Sequence, residues 1–185
     1  SKVKCGFNVN VNFDNNQFNA WVDEYGNLTF SLRLADWLKK DELSAAVIMS
    51  HEIAHIILNH INIKKTNKKI ARVIGLALDI GAYTSGINTS GKIMSIAEKI
   101  GVNQYSHAME KEADYYGAYI LAINNYDYTK ASNFWRIFSI EVPDSIYSHK
   151  NSTHPSTAER FVLLEETIKE IKKKKGSNKP LIPGF

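Results

Sequence analysis

Two histidines and a glutamate in the run HEIAH, residues 51–55, are the side chains most suited to chemistry. Residues four apart on a helix lie on one face, one turn apart, so His51 and His55 can reach the same metal ion. Catalytic zinc binds imidazole nitrogens at about 2.0–2.1 Å and keeps one position for water. Glu52 lies beside the first histidine and can take a proton from that water. The motif predicts a zinc-dependent hydrolase in which Glu52 is the general base.

A third protein ligand is needed, and the downstream candidates are His107, Glu110, Glu112, Asp114, His149 and His154. Glu110 and Asp114 are four apart in the run EKEAD and share a helix face, whereas Glu112 is rotated by about 200° from Glu110. This spacing suits Glu110 as a ligand and Asp114 as a hydrogen-bond partner of a ligating histidine. The alternative is an exposed acidic face near a helix N-terminus, but the HEIAH motif favours the ligand interpretation. His60 is predicted to face away and not to bind the metal.

The elements that position these groups are predicted to begin with strands. Alternating apolar and polar residues predict a strand over 3–13, and two more are expected over 19–22 and 28–32, around a turn at 23–27. The third strand is predicted either to be an ordinary edge strand or to present an edge that pairs with a peptide substrate. The residues that would form this substrate edge are Leu28, Thr29, Phe30 and Ser31.

Helices dominate the rest of the sequence. Asp41 is a good N-cap for a helix over 42–61 that carries HEIAH. Further helices are expected over 68–83, 92–100, 106–124 and 131–139, and from the Ser156–Glu159 capping box to about residue 174. The predicted fold class is α+β, mainly α, with a small N-terminal β-sheet packed on the active-site helix. One domain is expected over 1–185, with a β-rich part (1–35), a helical part (36–175) and a loose tail (176–185).

Composition limits the function classes. With 185 residues, 44% of them hydrophobic, the chain can bury a sizeable core, and its single cysteine, Cys5, excludes an internal disulfide. Much of the net charge of +4 comes from Lys172–Lys175. This run is predicted to be a solvated helix end, and the alternative is a patch that binds an anionic membrane or an acidic partner. The apolar stretch 70–87 contains Arg72 and Asp79 and is predicted to be an amphipathic or buried segment, with a membrane-surface role as the alternative. Nucleic-acid binding has no motif support.

The runs HEIAH, EKEAD and THPSTAER (153–160), in this order, resemble the gluzincin metallopeptidases related to the CAAX prenyl protease and the HtpX-type membrane quality-control proteases. The resemblance covers about residues 15–170 and includes Asn19-Ala20-Trp21 before the active-site helix. It implies a zincin-like fold, endopeptidase activity and one Zn2+ per chain. It also implies misfolded or membrane-associated proteins as substrates and favours a periplasmic or membrane-associated location. The roles that it transfers are metal ligands at His51, His55 and Glu110, a base at Glu52 and a supporting carboxylate at Asp114.

The same resemblance places His154 near the metal. There, an imidazole either stabilises the oxyanion of the tetrahedral intermediate or occupies the open zinc position and holds the enzyme idle. A loop histidine before a helix is the alternative. Arg160 is expected either to brace the acidic residues of the site or to be a surface residue. Two functions therefore remain: a zinc endopeptidase gated by His154, and a zinc-containing binding or chaperone-like module with a closed metal site.

Overall fold

A computed structural model describes residues 6–97, 106–147 and 155–184. Strands come first and helices follow, which confirms the predicted α+β, mainly α class. The strands are β1 (Asn8–Asn12), β2 (Ala20–Val22) and β3 (Asn27–Ser31). The helices are α1 (Leu32–Leu38), α2 (Glu42–Ile57), α3 (His60–Thr84), α4 (Ser106–Ile123), α5 (Asn133–Glu141) and α6 (Thr157–Gly176). Residues 92–97 are also helical. No helix among the described residues combines the length and the apolar character that a membrane-spanning helix needs.

The three strands form one sheet in the order β1-β3-β2. Strand β1 is parallel to β3, and β2 is antiparallel to it. The prediction of an edge strand at Leu28, Thr29, Phe30 and Ser31 is therefore wrong, because β3 is central and is paired on both sides. No described strand pairs with the outer side of β2. Strand order depends on contacts distant in sequence, so the local pattern could not reveal it.

Helix α1 was not predicted from the sequence pattern. The Ser31 hydroxyl accepts a hydrogen bond from the Leu34 backbone N–H, and the buried residues Leu34 and Leu38 are spaced as on one helix face. The helical part consequently begins at residue 32 rather than at 36. Ser31 ends β3 and caps α1, so it links the sheet directly to the helices.

Helix α2, which carries HEIAH, begins as predicted and ends early. The Asp41 carboxylate accepts a hydrogen bond from the Ser44 N–H at 3.0 Å. The helix ends at Ile57, four residues before the predicted end, because Asn59 adopts a left-handed backbone conformation (φ +59°). Helix α3 then starts at His60, directly after this residue.

Helix α4 approaches α2 closely at Gly117. A Cβ atom at this position would lie 3.3–3.4 Å from backbone atoms of His51 and Ser50. This glycine therefore allows the EKEAD and HEIAH segments to meet. The surrounding core joins the sheet, α1, α2, α4, α5 and α6, and its buried residues include Leu28, Leu34, Val47, Tyr119, Phe134, Leu164 and Ile168.

The chain after α6 folds back against the helices. The Gly184 N–H donates to the Tyr115 hydroxyl at 3.0 Å, and Lys174 Nζ donates to the Ile182 carbonyl at 2.8 Å. Leu181 packs against the core. The prediction of a loose tail over 176–185 is therefore wrong for the part up to residue 184.

Candidate metal centre

Donor atoms from α2 and α4 converge at one point. The Nε2 atoms of His51 and His55 are 3.1 Å apart, and the Glu110 carboxylate oxygens lie 3.2 Å from the first and 3.3 Å from the second. All three side chains are buried, and among the described residues they form the group that could hold a metal. A tetrahedral zinc with bonds of about 2.0–2.1 Å has ligand atoms about 3.3–3.4 Å apart. The donor set and its spacing therefore fit zinc.

Asp114 and Arg160 hold the ring of His51. The His51 Nδ1–H donates to Asp114 Oδ1 at 2.9 Å, which leaves Nε2 for a metal. Arg160 donates from Nε and Nη2 to the two Asp114 oxygens, each at 2.7 Å, and its guanidinium carbon lies 3.6 Å from the centre of a Trp135 ring. Burial acts to raise the pKa of Asp114, but Arg160 and His51 outweigh it and lower this pKa. Asp114 therefore stays ionised behind the ligand.

His60 and Glu112 hold the ring of His55, and the sequence pattern did not predict this pair. His55 Nδ1 lies 2.9 Å from His60 Nδ1, and His60 Nε2 lies 3.2 Å from Glu112 Oε2. A hydrogen on His55 Nδ1 and another on His60 Nε2 satisfy both contacts and leave His55 Nε2 for a metal. His60 is outside the donor group, as expected, but it does not face away. The turn at Asn59 redirects it, and an asparagine at the end of an apolar helical pattern was the available signal.

Burial shifts the pKa values of the titratable groups of the site. It raises the pKa of Glu52 to about 7, with a contribution from the negative charge of Glu110 and opposition from His51. It lowers the pKa of His55 to about 4, so this ring is neutral, as a metal ligand must be. For His51, burial and Arg160 oppose protonation, but hydrogen bonds to Asp114 and Glu110 prevail and raise the pKa to about 9 in the metal-free chain. Metal binding must therefore displace a proton from His51.

A cavity of about 290 Å³ opens beside the donor group, and His51, Glu52 and Glu110 form part of its wall. Ala20 of β2 also lines it, so the unpaired side of β2 reaches the site, whereas β3 does not. Most of the remaining wall is apolar and includes Phe18, Leu34, Val47, Phe134, Phe138, Val142 and Tyr147. The site thus combines the polar groups of the donor centre with an apolar chamber, which is the part of the cavity wall formed by these apolar side chains.

Two predicted candidates, His149 and His154, lie outside the described residues, and the role of His154 stays a prediction. Pro155, the next residue in the chain, lines the cavity. His107 is described, but it is not in the donor group. The structure thus brings together His51, Glu52, His55, Glu110, Asp114 and Arg160.

Comparison with known proteins gives two matches. The model of peptidase family M48 matches residues 2–168. The chain is similar to the mitochondrial metalloendopeptidase OMA1 of Schizosaccharomyces pombe, with 27% identity over 138 residues. This similarity covers 74% of the chain and 40% of the OMA1 protein, so the chain spans less than half of that relative. No solved structure matches the chain.

Proposed function

The chain belongs to peptidase family M48, a family of zinc metallopeptidases, and we propose that it is an endopeptidase with one zinc held by His51, His55 and Glu110. The observation that carries this proposal is the buried triangle of donor atoms, with sides of 3.1–3.3 Å, beside Glu52 and an open cavity. Three protein ligands are typical of a catalytic zinc site, whereas closed structural sites have four.

The residues around the donors supply the proton chemistry. Bound zinc would polarise the substrate carbonyl and lower the pKa of a water to about 7. Glu52 accepts a proton from the attacking water at its carboxylate and passes it to the nitrogen of the leaving amine. In the metal-free chain its pKa is about 7, so this carboxyl group can both accept and release a proton near neutral pH. Asp114 and Arg160 keep His51 in the orientation and tautomer that direct Nε2 to the metal.

The unpaired side of β2 is suited to bind an extended peptide. The Ser31 N–H donates to the Asn19 carbonyl, and the Asp23 N–H donates to the Asn27 carbonyl, so residues 19 and 23 face β3. In an antiparallel ladder the main-chain groups alternate, which directs those of residues 20 and 22 outward. Ala20 lines the cavity, so a peptide paired there would pass the metal site. This edge replaces the one expected at β3, and main-chain pairing predicts weak sequence preference.

The apolar chamber is the feature that favours unfolded or membrane-associated proteins as substrates. Its aromatic wall, with Phe134 and Phe138, suits a bulky apolar side chain next to the cleaved bond. Such side chains are buried in folded proteins and become accessible when a protein unfolds. A closed, inactive zinc module with His154 as fourth ligand is the alternative, and the place of Pro155 in the cavity wall is compatible with it.

The test is cleavage of unfolded casein by wild type, Glu52→Gln and His154→Ala, with the zinc content of each measured. Loss of a general base costs about 10²–10⁴-fold, so Glu52→Gln should lose that much activity and keep its zinc. Glu24→Gln, which removes an exposed carboxylate on the 23–27 turn, is the matched control and should remain active. Higher activity in His154→Ala would identify a gate, and lower activity an oxyanion donor. A fully active Glu52→Gln would contradict the mechanism, and zinc-loaded protein without cleavage in every variant would favour the closed module.

A further inference from the structure

Helix α3 carries a cluster of apolar side chains that the described residues leave exposed. We call these residues the α3 apolar surface: Val73, Ile74, Leu76, Leu78, Ile80 and Tyr83, each 48–73% exposed. Soluble proteins rarely leave a large contiguous apolar patch in water, and such patches mark interaction sites. The surface is distant in the chain from the metal ligands, and the peptidase chemistry does not use it.

A helical hairpin holds this surface outward. Helix α3 packs against the helical segment 92–97 at Gly75, where a Cβ atom would overlap Met94 Cα. Asp79 is buried in the hairpin, where it accepts hydrogen bonds from the N–H groups of Ile93 (3.3 Å) and Met94 (2.8 Å) and from the Thr89 hydroxyl. The inner side of α3 is therefore polar and small, and its outer side is apolar. This is the reverse of an ordinary surface helix.

The hairpin is also strongly positive, as is the C-terminal run Lys172–Lys175. Residues 60–97 contain six of the 23 Lys and Arg residues and one of the 19 Asp and Glu residues, so their net charge is +5. The whole chain is +4, which leaves −1 for all other residues together. The single acid of the segment, Asp79, is buried, whereas Lys68, Lys69 and Arg72 are exposed next to the apolar surface. Exposed apolar groups flanked by cations are the combination that anionic lipid surfaces bind.

We propose that the α3 hairpin binds the surface of an anionic lipid bilayer. The α3 apolar surface enters the boundary between headgroups and acyl chains, and Lys69 and Arg72 contact the headgroup phosphates. Tyr83, the most exposed of the six, has an apolar ring and a polar hydroxyl, which suit the interface. The charge distribution selects this occupant over a second copy of the chain, because two apolar surfaces that are each flanked by exposed cations such as Lys69 and Arg72 would repel each other. The inference does not depend on the peptidase proposal.

The test measures co-sedimentation of the full chain with two kinds of vesicle: phosphatidylcholine alone, and phosphatidylcholine mixed with phosphatidylglycerol. We expect clear binding to the anionic vesicles, weaker binding to the neutral ones, and partial loss at high salt. Ile74→Asp/Leu78→Asp and Lys69→Glu/Arg72→Glu should each lower the partition coefficient by about tenfold or more.

Matched controls place the same changes elsewhere. Val162→Asp alters another exposed apolar residue, and Lys172→Glu/Lys173→Glu reverses two exposed charges in the C-terminal lysine run; both should leave binding near wild type. Circular dichroism and thermal unfolding check that each variant is folded. Equal binding to both vesicle types, no binding, or equal losses in the controls would overturn the proposal. So would a dimer that forms without lipid and is lost in Ile74→Asp/Leu78→Asp.

Discussion

The metal centre and the α3 hairpin depart from ordinary burial in opposite directions. The centre buries ionisable groups such as Glu110, Asp114 and Arg160, whereas the hairpin exposes apolar groups such as Ile74 and Leu78. Each arrangement is unfavourable for folding unless something compensates it. In the centre, the compensation is visible within the chain, because the buried groups bond to one another. In the hairpin, the described residues do not provide it, and we infer that a lipid surface does.

The largest difference between the two regions should appear in stability. Asp114→Asn deprives the buried Arg160 guanidinium of its nearest carboxylate, so we expect the free energy of unfolding of the metal-free protein to fall by about 3–5 kcal/mol. Asp36→Asn removes an exposed ion pair with Lys39 and should cost about 0–1 kcal/mol. Urea denaturation in the presence of a chelator measures both. Equal small losses would show that the buried pair does not stabilise the centre.

Loss of His60 should weaken zinc binding without unfolding the protein. His60→Ala removes the group that faces His55 Nδ1, and loss of such a partner typically costs about 10–100-fold in metal affinity. His60→Gln can still accept a hydrogen bond from His55 and should recover part of the loss. Competition with a chromophoric zinc chelator gives the affinities, and His107→Ala serves as the control. An unchanged affinity in His60→Ala would exclude an orienting role.

Replacing a glycine by alanine should destabilise the protein at the metal centre and stabilise it in the hairpin. Gly117→Ala places a methyl group against the backbone of His51 and Ser50, and we expect a loss of about 1–3 kcal/mol in stability together with weaker zinc binding. Gly81→Ala, in α3, meets nothing within 4 Å and should stabilise the chain by about 0.5–1 kcal/mol through helix propensity. Thermal unfolding compares the two. A stabilising Gly117→Ala would contradict the close approach of α2 and α4.

The smallest change in stability is expected for a substitution on the α3 apolar surface. Leu78→Asp removes no described packing contact of the core, so the free energy of unfolding should change by no more than about 0.5 kcal/mol, and casein cleavage should stay at the wild-type rate. A loss of several kcal/mol would mean that Leu78 is covered within the protein itself, and the contrast between the two regions would disappear.

Helix periodicity accounts for what the sequence predicted of the site. His51 with His55, and Glu110 with Asp114, are pairs spaced by four, so local geometry determined which side chains share a face. The pairing of β3 on both sides depends on contacts between distant residues, and no local pattern contains it. The early end of α2 depends on a single left-handed residue, Asn59. That turn brings His60 to His55. In the continuous helix that was predicted over 42–61, the two rings would not meet.

The most direct test of the zinc site compares two glutamates of the EKEAD run. Glu110→Gln and Glu112→Gln make the same chemical change two residues apart, but only Glu110 belongs to the donor group. Zinc content is measured by mass spectrometry after exchange into metal-free buffer. We predict about one zinc per chain in wild type and in Glu112→Gln, where the amide oxygen can still accept the hydrogen bond from His60, and little or none in Glu110→Gln. Equal zinc content in the two variants, or loss only in Glu112→Gln, would contradict the proposed metal centre.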